Sequence, residues 1–90
     1  GVALRASVNA TGGQVAGTAT VIEPAGPGKR MVTFGRNLTG CTPTATLARI
    51  GSDPGAGSIV TAIEGGKVAV EMYNAAGTKT NLPFNLLVAC

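Results

Sequence analysis

The side chains that could carry out chemistry are few in this chain of 90 residues, and they form no known catalytic set. The sequence has no His, which removes the usual general base at neutral pH and the commonest metal ligand. Its two cysteines, Cys41 and Cys90, do not by themselves complete a tetrahedral metal site. We therefore expect no metal, no cofactor and no enzyme activity.

Paired carboxylates offer one weak route to catalysis. Glu64 and Glu71 could act as the two acids of a small hydrolase, which must face each other across a cleft. They fall on different predicted strands, and nothing in so short a chain indicates a cleft. Ser7, Ser52 and Ser58 have no His to activate them as nucleophiles. A hydrolase stays an alternative that these residues do not favour.

The two cysteines are more informative as a crosslink. Alternation of apolar and polar residues places Cys41 and Cys90 on inward faces of predicted strands, which suits a disulfide between them. Such a bond would contribute about 4 kcal/mol by restricting the unfolded chain. It would also imply an oxidising, extracytoplasmic location. The alternative is two reduced thiols that pack as small hydrophobic side chains.

A loop and a strand end hold the residues that could bind a ligand. Asp53 lies in the Gly-rich segment 51–57, and Tyr73 with Asn74 lies near the end of a predicted strand. Tyr73 is the aromatic residue best placed to contact a sugar, and long loops often carry binding sites. A calcium site is not expected at Asp53, because calcium needs about six to eight oxygen ligands.

Charge and hydropathy exclude two classes of partner. The net charge of +3 is spread thinly, with Lys29-Arg30 as the only local cluster, so we expect no nucleic-acid partner. No run of about eighteen apolar residues exists, so we expect no membrane insertion. The chain starts without Met and without the pattern of a signal peptide, and we interpret it as a piece excised from a longer chain.

Turn residues divide the chain into short segments typical of β-strands. The segments are rich in Val, Ile and Thr and alternate at a period of two, and none has the length and caps of a helix. The pattern predicts one all-β domain over 1–90, a single antiparallel β-sandwich of jelly-roll or Ig-like type without substantial helix. Its about seven strands are 2–8, 14–22, 30–36, 41–50, 58–63, 67–74 and 82–90.

Two of these segments carry specific expectations about burial. In 14–22, Val15, Ala19 and Val21 share the face predicted to point toward the core. The segment 58–63 is nearly all apolar and could be buried on both sides.

The outward faces of the predicted strands carry Thr, Ala and Ser where charged residues are usual. Thr18, Thr20 and Thr33 could extend a hydroxyl ladder that runs along 41–50. A solvated β face is one interpretation, but few charges also lower the cost of covering a surface. We therefore expect a homo-oligomer, with a trimer favoured, or tandem repeats. The predicted assembly face comprises Thr42, Thr44, Thr46, Ala69 and Leu87.

Three segments of the chain carry motifs in a fixed order. They are RMVTFGRNLTGC at 30–41, TATLARIG at 44–51, and 68–90 with its NLPFNLLVAC ending. In this order the chain resembles a recurring β module of actinobacterial secreted and surface proteins and of phage-like fibre proteins. The resemblance implies an extracellular, non-catalytic domain that is often distal or repeated; the long 51–57 loop departs from it. The matching residues are Phe34, Cys41, Ala45, Leu47, Val68, Val70, Gly77, Pro83, Phe84, Leu86, Val88 and Cys90.

These observations predict an extracellular structural or adhesive module on a cell or virion surface. It would be the head or a repeat of a surface or phage-tail fibre, with a surface glycan or a protein receptor as a further candidate partner. The alternative is a monomeric carbohydrate- or ligand-binding module that uses the 51–57 loop and Tyr73.

Overall fold

Short runs of β-branched residues, separated by glycine and proline turns, form the strands of this chain. The computed structural model describes residues 1–49 and 56–90, and in these ranges it contains eight strands and no helix. The strands are β1 (Ala3–Val8), β2 (Gln14–Gly17), β3 (Val21–Pro24), β4 (Lys29–Thr33), β5 (Thr42–Leu47), β6 (Ser58–Glu64), β7 (Lys67–Tyr73) and β8 (Phe84–Ala89).

Two four-stranded antiparallel sheets pack together as a sandwich. The first sheet has the order β2-β1-β8-β5, and the second has the order β3-β4-β7-β6. The predicted all-β sandwich is therefore confirmed, with eight strands where about seven were expected. Two prolines lie on edge strands, Pro24 on β3 and Pro43 on β5, where a missing N–H costs no internal ladder bond.

The core fills the space between the sheets and consists of the inward side chains of the central strands. Along β8, buried and exposed residues alternate at every position, as the pleat requires when only one face is covered. The buried hydrophobic residues are Ala6, Val8, Val32, Phe34, Leu38, Val68, Ala69, Val70, Met72, Leu82, Phe84, Leu86 and Val88.

The segment 14–22, predicted as one strand, is two strands in different sheets. Val15 and Val21, predicted to point inward, are exposed, whereas Ala19 packs against the core. The chain leaves the first sheet at Gly17, whose φ of +114° few other residues adopt and whose Cα lies directly against the β1 backbone. The prediction was wrong because alternation within a segment cannot show where the chain changes sheets.

Strand β6, predicted to allow burial on both sides, is covered on one side only. It is the edge strand of the second sheet and pairs with β7 alone. Ile59 packs against the core, while Val60 and Ala62 face solvent. The apolar composition was misleading because an edge strand has one neighbour and, here, an uncovered outer face.

One end of the sandwich is held by a disulfide between Cys41 and Cys90, which confirms the predicted crosslink. The register that pairs Thr42 with Ala89 continues to the two cysteines, whose Cα atoms are 4.3 Å apart. Backbone hydrogen bonds between Val2 and Cys90, of 3.1 and 2.8 Å, bring the first residues to the same end. We call this the disulfide end; the bond is compatible with an extracellular location.

The opposite end carries the connections that follow β1, β3 and β7, and we call it the loop end. Arg30, which is 6% exposed, extends from β4 to donate a hydrogen bond of 3.0 Å from Nη2 to the carbonyl oxygen of Ala10. The backbone N–H of Gly28 donates to Oδ1 of Asn81 at 2.9 Å. These two bonds join the connections after β1, β3 and β7 into one surface, far from the disulfide.

Removing the disulfide should lower the free energy of unfolding by about 4 kcal/mol, because the bond spans 49 residues of the unfolded chain. The measurement is urea denaturation of a Cys41→Ala, Cys90→Ala double variant beside the native chain. Reducing the native chain with a thiol should give the same loss. A loss below about 1 kcal/mol in both samples would contradict the prediction.

Replacing Gly17 with Ala should destabilise the fold more than replacing Gly26 with Ala. Both glycines have positive φ, +114° and +104°, so both variants share the backbone penalty of about 1–2 kcal/mol. A Cβ at Gly17 would overlap the carbonyl of Arg5 and the Cα of Ala6, whereas a Cβ at Gly26 meets nothing within 4 Å. We expect a further loss of about 1–3 kcal/mol at Gly17, measured by thermal denaturation. Equal losses would show that close approach to β1 does not matter.

Candidate functional site

The outward side of β1, β8 and β5 forms one continuous surface of mainly small and uncharged residues. Because side chains alternate along each strand, the residues between the buried core positions all point to this side. We call this surface the threonine face. Its residues are Ala3, Arg5, Ser7, Asn85, Leu87, Ala89, Thr42, Thr44 and Thr46.

Strand register arranges the threonine face in rows that cross the sheet. The middle row has Leu87 at its centre, flanked by Arg5 on β1 and Thr44 on β5. The rows, each written from β1 through β8 to β5, are Ala3–Ala89–Thr42, Arg5–Leu87–Thr44 and Ser7–Asn85–Thr46. Four of the predicted assembly residues, the threonines and Leu87, therefore do lie together.

Leu87 and a shallow hollow beside it give the threonine face its relief. The Leu87 residue is 51% exposed although it lies on a central strand. The hollow has a volume of about 350 Å³, and its polar lining includes Arg5, Thr44, Thr46 and Asn85. Ser7 Oγ donates a hydrogen bond of 2.8 Å to Asn85 Oδ1, which orients that amide. The surface therefore combines an exposed apolar side chain with an adjacent depression.

The outer face of the second sheet differs because it carries ion pairs. Lys67 Nζ lies 2.8 Å from Glu23 Oε1, and Lys29 Nζ lies 3.5 Å from Glu64 Oε1 and 3.8 Å from Glu71 Oε1. These three glutamates are all the acidic residues within the part of the chain that the structure describes. The charge-poor outward faces expected from the sequence are thus found on one sheet only. Glu64 and Glu71, considered above as a hydrolase pair, share Lys29 as their partner.

Ala69, the fifth predicted assembly residue, lies apart from the other four. It is on β7 of the second sheet, 2% exposed, between Met31 and Ala62. Its neighbours on both sides cover it, as the central position of β7 allows. Outward positions in the sequence can belong to either sheet, and Ala69 belongs to a different sheet from the other four residues.

The other threonines also do not extend the ladder. Thr33 lies on β4 of the second sheet, and Thr20 Oγ1 donates a hydrogen bond of 3.1 Å to its carbonyl oxygen. Thr18 lies in the link between the sheets, where its N–H donates to the carbonyl of Arg5 at 2.9 Å. The expectation that these three residues continue the threonine row was wrong, because they follow the break at Gly17.

Only part of the predicted ligand site can be located. Asp53 and the rest of 50–55 lie outside the described residues. Tyr73 is half-buried on the outer face of the second sheet, and its hydroxyl donates to Glu71 Oε2 at 3.2 Å. Asn74 Oδ1 accepts hydrogen bonds from the N–H groups of Ala76 and Thr78, at 2.9 and 3.0 Å. The carbonyl oxygen of the Asn74 amide thus holds its own turn.

The same kind of turn connects β1 to β2. Asn9 Oδ1 accepts from the N–H groups of Thr11 and Gly13, at 3.1 and 2.8 Å, in the spacing found at Asn74. Asparagine favours such turns because its short amide can bond to backbone two residues on. The segment 9–13 is therefore a turn that its own asparagine stabilises. Asn74 has the same role. The similarity between NATGG at 9–13 and NAAGT at 74–78 could have indicated this role from the sequence.

The residues that sequence reasoning left out of the face are Arg5, Ser7, Asn85, Ala3 and Ala89. The alternation in 2–8 is enough to give Arg5 and Ser7 an outward position, but nothing in the sequence shows that β1 lies beside β8. Asn85 and Ala89 follow from the alternation in 82–90 in the same way. The missing step was strand adjacency, which requires the tertiary structure.

Two searches for other kinds of site within the described residues are negative. No group of three or more His, Cys, Asp or Glu side chains is placed to hold a metal ion in 1–49 or 56–90. No helix long and apolar enough to cross a membrane occurs in those same ranges. Comparison of the chain with known protein families, with curated proteins and with solved structures finds no match.

The Tyr73 hydroxyl should ionise above its ordinary pKa of 10.0. The hydrogen bond to Glu71 raises this pKa most, and partial desolvation and the negative charge of Glu71 raise it further. Above pH 10.0 the folded chain keeps a proton that the unfolded chain loses, so stability should fall as pH rises through this window. Tyrosinate absorbance measures the pKa, and Glu71→Gln should lower it toward 10.0. An unchanged pKa in this variant would contradict the assignment.

Proposed function

We propose that this chain is a non-catalytic structural or adhesive β module of a surface or phage-tail fibre, displayed outside a cell or virion. In this proposal it assembles with other copies through the threonine face. The observation that carries the proposal is the unequal distribution of charge between the two outer faces.

The charge distribution matters because covering a surface removes water from every charge on it. On the second sheet, contact with another chain would desolvate the ion pairs of Glu23, Glu64 and Glu71. On the threonine face, Arg5 is the one charged residue among the outward positions of β1, β8 and β5. The threonine face is therefore the outer face that another chain can cover at the lower cost.

The size of the threonine face supports a fibre or a repeat in preference to a free oligomer. The three strands β1, β8 and β5, about 4.8 Å apart and six residues long, cover an area of about 300 Å². A typical stable interface buries about 800 Å² on each partner. Separate chains should therefore associate weakly. Tethering in a fibre or a tandem array raises the effective concentration and makes the same contact persistent.

The alternative function, a monomeric module that binds carbohydrate, depends on Tyr73 and the 51–57 loop. The half-buried ring of Tyr73 could contact a sugar, but its hydroxyl is bonded to Glu71 and the oxygen of Asn74 is held in a turn. On the threonine face, the side chains of Ser7 and Asn85 are hydrogen-bonded to each other, and the other polar side chains are available to a partner. Assembly is for this reason our conclusion.

A lysine at Leu87 should weaken self-association at least tenfold, whereas a lysine at Val60 should leave it unchanged. The two side chains are matched, since Leu87 is 51% and Val60 is 52% exposed, on opposite outer faces. The expected loss corresponds to about 1.4 kcal/mol or more, from desolvating the new charge. Sedimentation equilibrium over a concentration series up to the millimolar range provides the association constant.

Two results would overturn the proposal. One is a native chain that remains monomeric over the whole concentration series. The other is an equal effect of the lysine at Leu87 and at Val60. A saturable hit on a glycan array that is lost in Tyr73→Ala would favour the carbohydrate-binding alternative.

A further inference from the structure

We infer that two copies pair through their threonine faces around a two-fold axis parallel to the strands, so that both copies point the same way. This inference rests on the proposed assembly face and adds its partner, its symmetry and its direction. The partner is a second copy of this chain. The inference follows from the strand register, from the position of Arg5 and from the position of the chain ends.

Two symmetric ways exist to place one flat face against its own copy with the strands of both copies aligned. If the two-fold axis runs along the strands through β8, then β8 faces β8, and β1 of each copy faces β5 of the other. If the axis runs across the strands through the middle row, each strand faces itself in the reverse direction. The two arrangements bury the same surface and differ only in which side chains meet.

The position of Arg5 distinguishes the two arrangements. Arg5, Leu87 and Thr44 form the middle row, with Leu87 between the other two. With the axis across the strands, Arg5 meets Arg5 of the other copy, and two like charges are desolvated together. With the axis along the strands, Arg5 meets Thr44 of the other copy, whose hydroxyl can accept a hydrogen bond. A rotation of about 30° between packed sheets moves these neighbours by only a few ångström.

Leu87 is well placed in the arrangement with the axis along the strands. It lies near the axis, where it meets Leu87 of the other copy and apolar area is buried at the centre of the contact. The hollow of about 350 Å³ lies beside it and gives each leucine space to pack. Ser7 then faces Thr46 of the other copy, and Ala3 faces Thr42, so no further charged residue meets the contact.

The chain ends favour the same arrangement. Val2 and Cys90 are hydrogen-bonded to each other at the disulfide end, so the first and last residues of this sequence lie close together there. An axis along the strands places both disulfide ends side by side, about 10 Å apart for packed sheets, which a few residues can span. Stacking end to end would instead need a linker to cover the 35 Å length of the domain, which takes about ten extended residues.

Symmetry also favours a pair over the trimer expected from the sequence. A three-fold assembly joins two different surfaces of each copy, whereas a two-fold contact uses one surface twice. The structure provides one charge-poor outer face and one with ion pairs. A pair is therefore the assembly that leaves those ion pairs in water.

Single-cysteine variants and a short bismaleimide crosslinker test the direction of the pair, since maleimides leave the Cys41–Cys90 disulfide intact. Asn85 faces Asn85 of the other copy only when the axis runs along the strands, so Asn85→Cys should form a crosslinked dimer. Thr44→Cys, which keeps Arg5, should not crosslink to itself, but a mixture of Arg5→Cys and Thr44→Cys should crosslink. Val60→Cys on the opposite face sets the background from collisions. We expect the dimer yield of Asn85→Cys to exceed that background at least fivefold.

The outcomes separate this inference from the proposed function. If Thr44→Cys crosslinks to itself and Asn85→Cys does not, the axis runs across the strands and the inference is wrong, while the assembly face stands. A second outcome is a dimer yield no higher than that of Val60→Cys for both variants, although the native chain associates and Leu87→Lys does not. The face would then be used in another geometry, and the inference would again be wrong. If the native chain does not associate at all, the proposed function and the inference both fail. Thermal denaturation of each variant confirms that it is folded before crosslinking.

Discussion

The first sheet depends on β8, which is hydrogen-bonded to β1 on one side and to β5 on the other. Its alternate residues have two separate tasks. Phe84, Leu86 and Val88 are buried in the core, and the residues between them form the centre of the threonine face. The strand then ends beside Cys90, whose bond to Cys41 fastens it to the start of β5. A shift of the register by one residue would exchange core and surface along the whole strand.

The contrast between the two outer faces follows from how each sheet meets its surroundings. The second sheet keeps its outer face in water with lysine–glutamate pairs, which are normal for a solvated β surface. The first sheet has hydroxyls, methyl groups and one arginine in the same positions. Such a face gains little from water beyond its hydroxyl groups, and it loses little when it is covered. This contrast between the two outer faces is the basis of the proposed assembly through the threonine face.

The connections at the loop end owe their form to local chemistry that the sequence shows directly. Asn9 and Asn74 each start a turn in which the side-chain oxygen accepts two backbone N–H groups. The contact of Arg30 could not be predicted in this way. In the sequence, a buried arginine that contacts a neighbouring turn cannot be distinguished from an exposed arginine at the end of a strand. The carbonyl partner of Arg30 belongs to another hairpin, so the contact exists only once the hairpins are together.

The sequence by itself determined the all-β class, the inward positions of β8 and the alternating threonines of β5, and it limited any internal disulfide to Cys41–Cys90. These follow from local rules, since alternation and turn residues act within a few positions of the chain, and two cysteines allow only one pairing. Only the tertiary structure decided that 14–22 divides between two sheets and that Ala69 and Leu87 lie in different sheets. It also decided that Arg5 shares a row with Thr44. Those facts depend on which strands are neighbours. Strand adjacency arises from burial of the whole core and from contacts between residues far apart in the chain, and no local pattern encodes it.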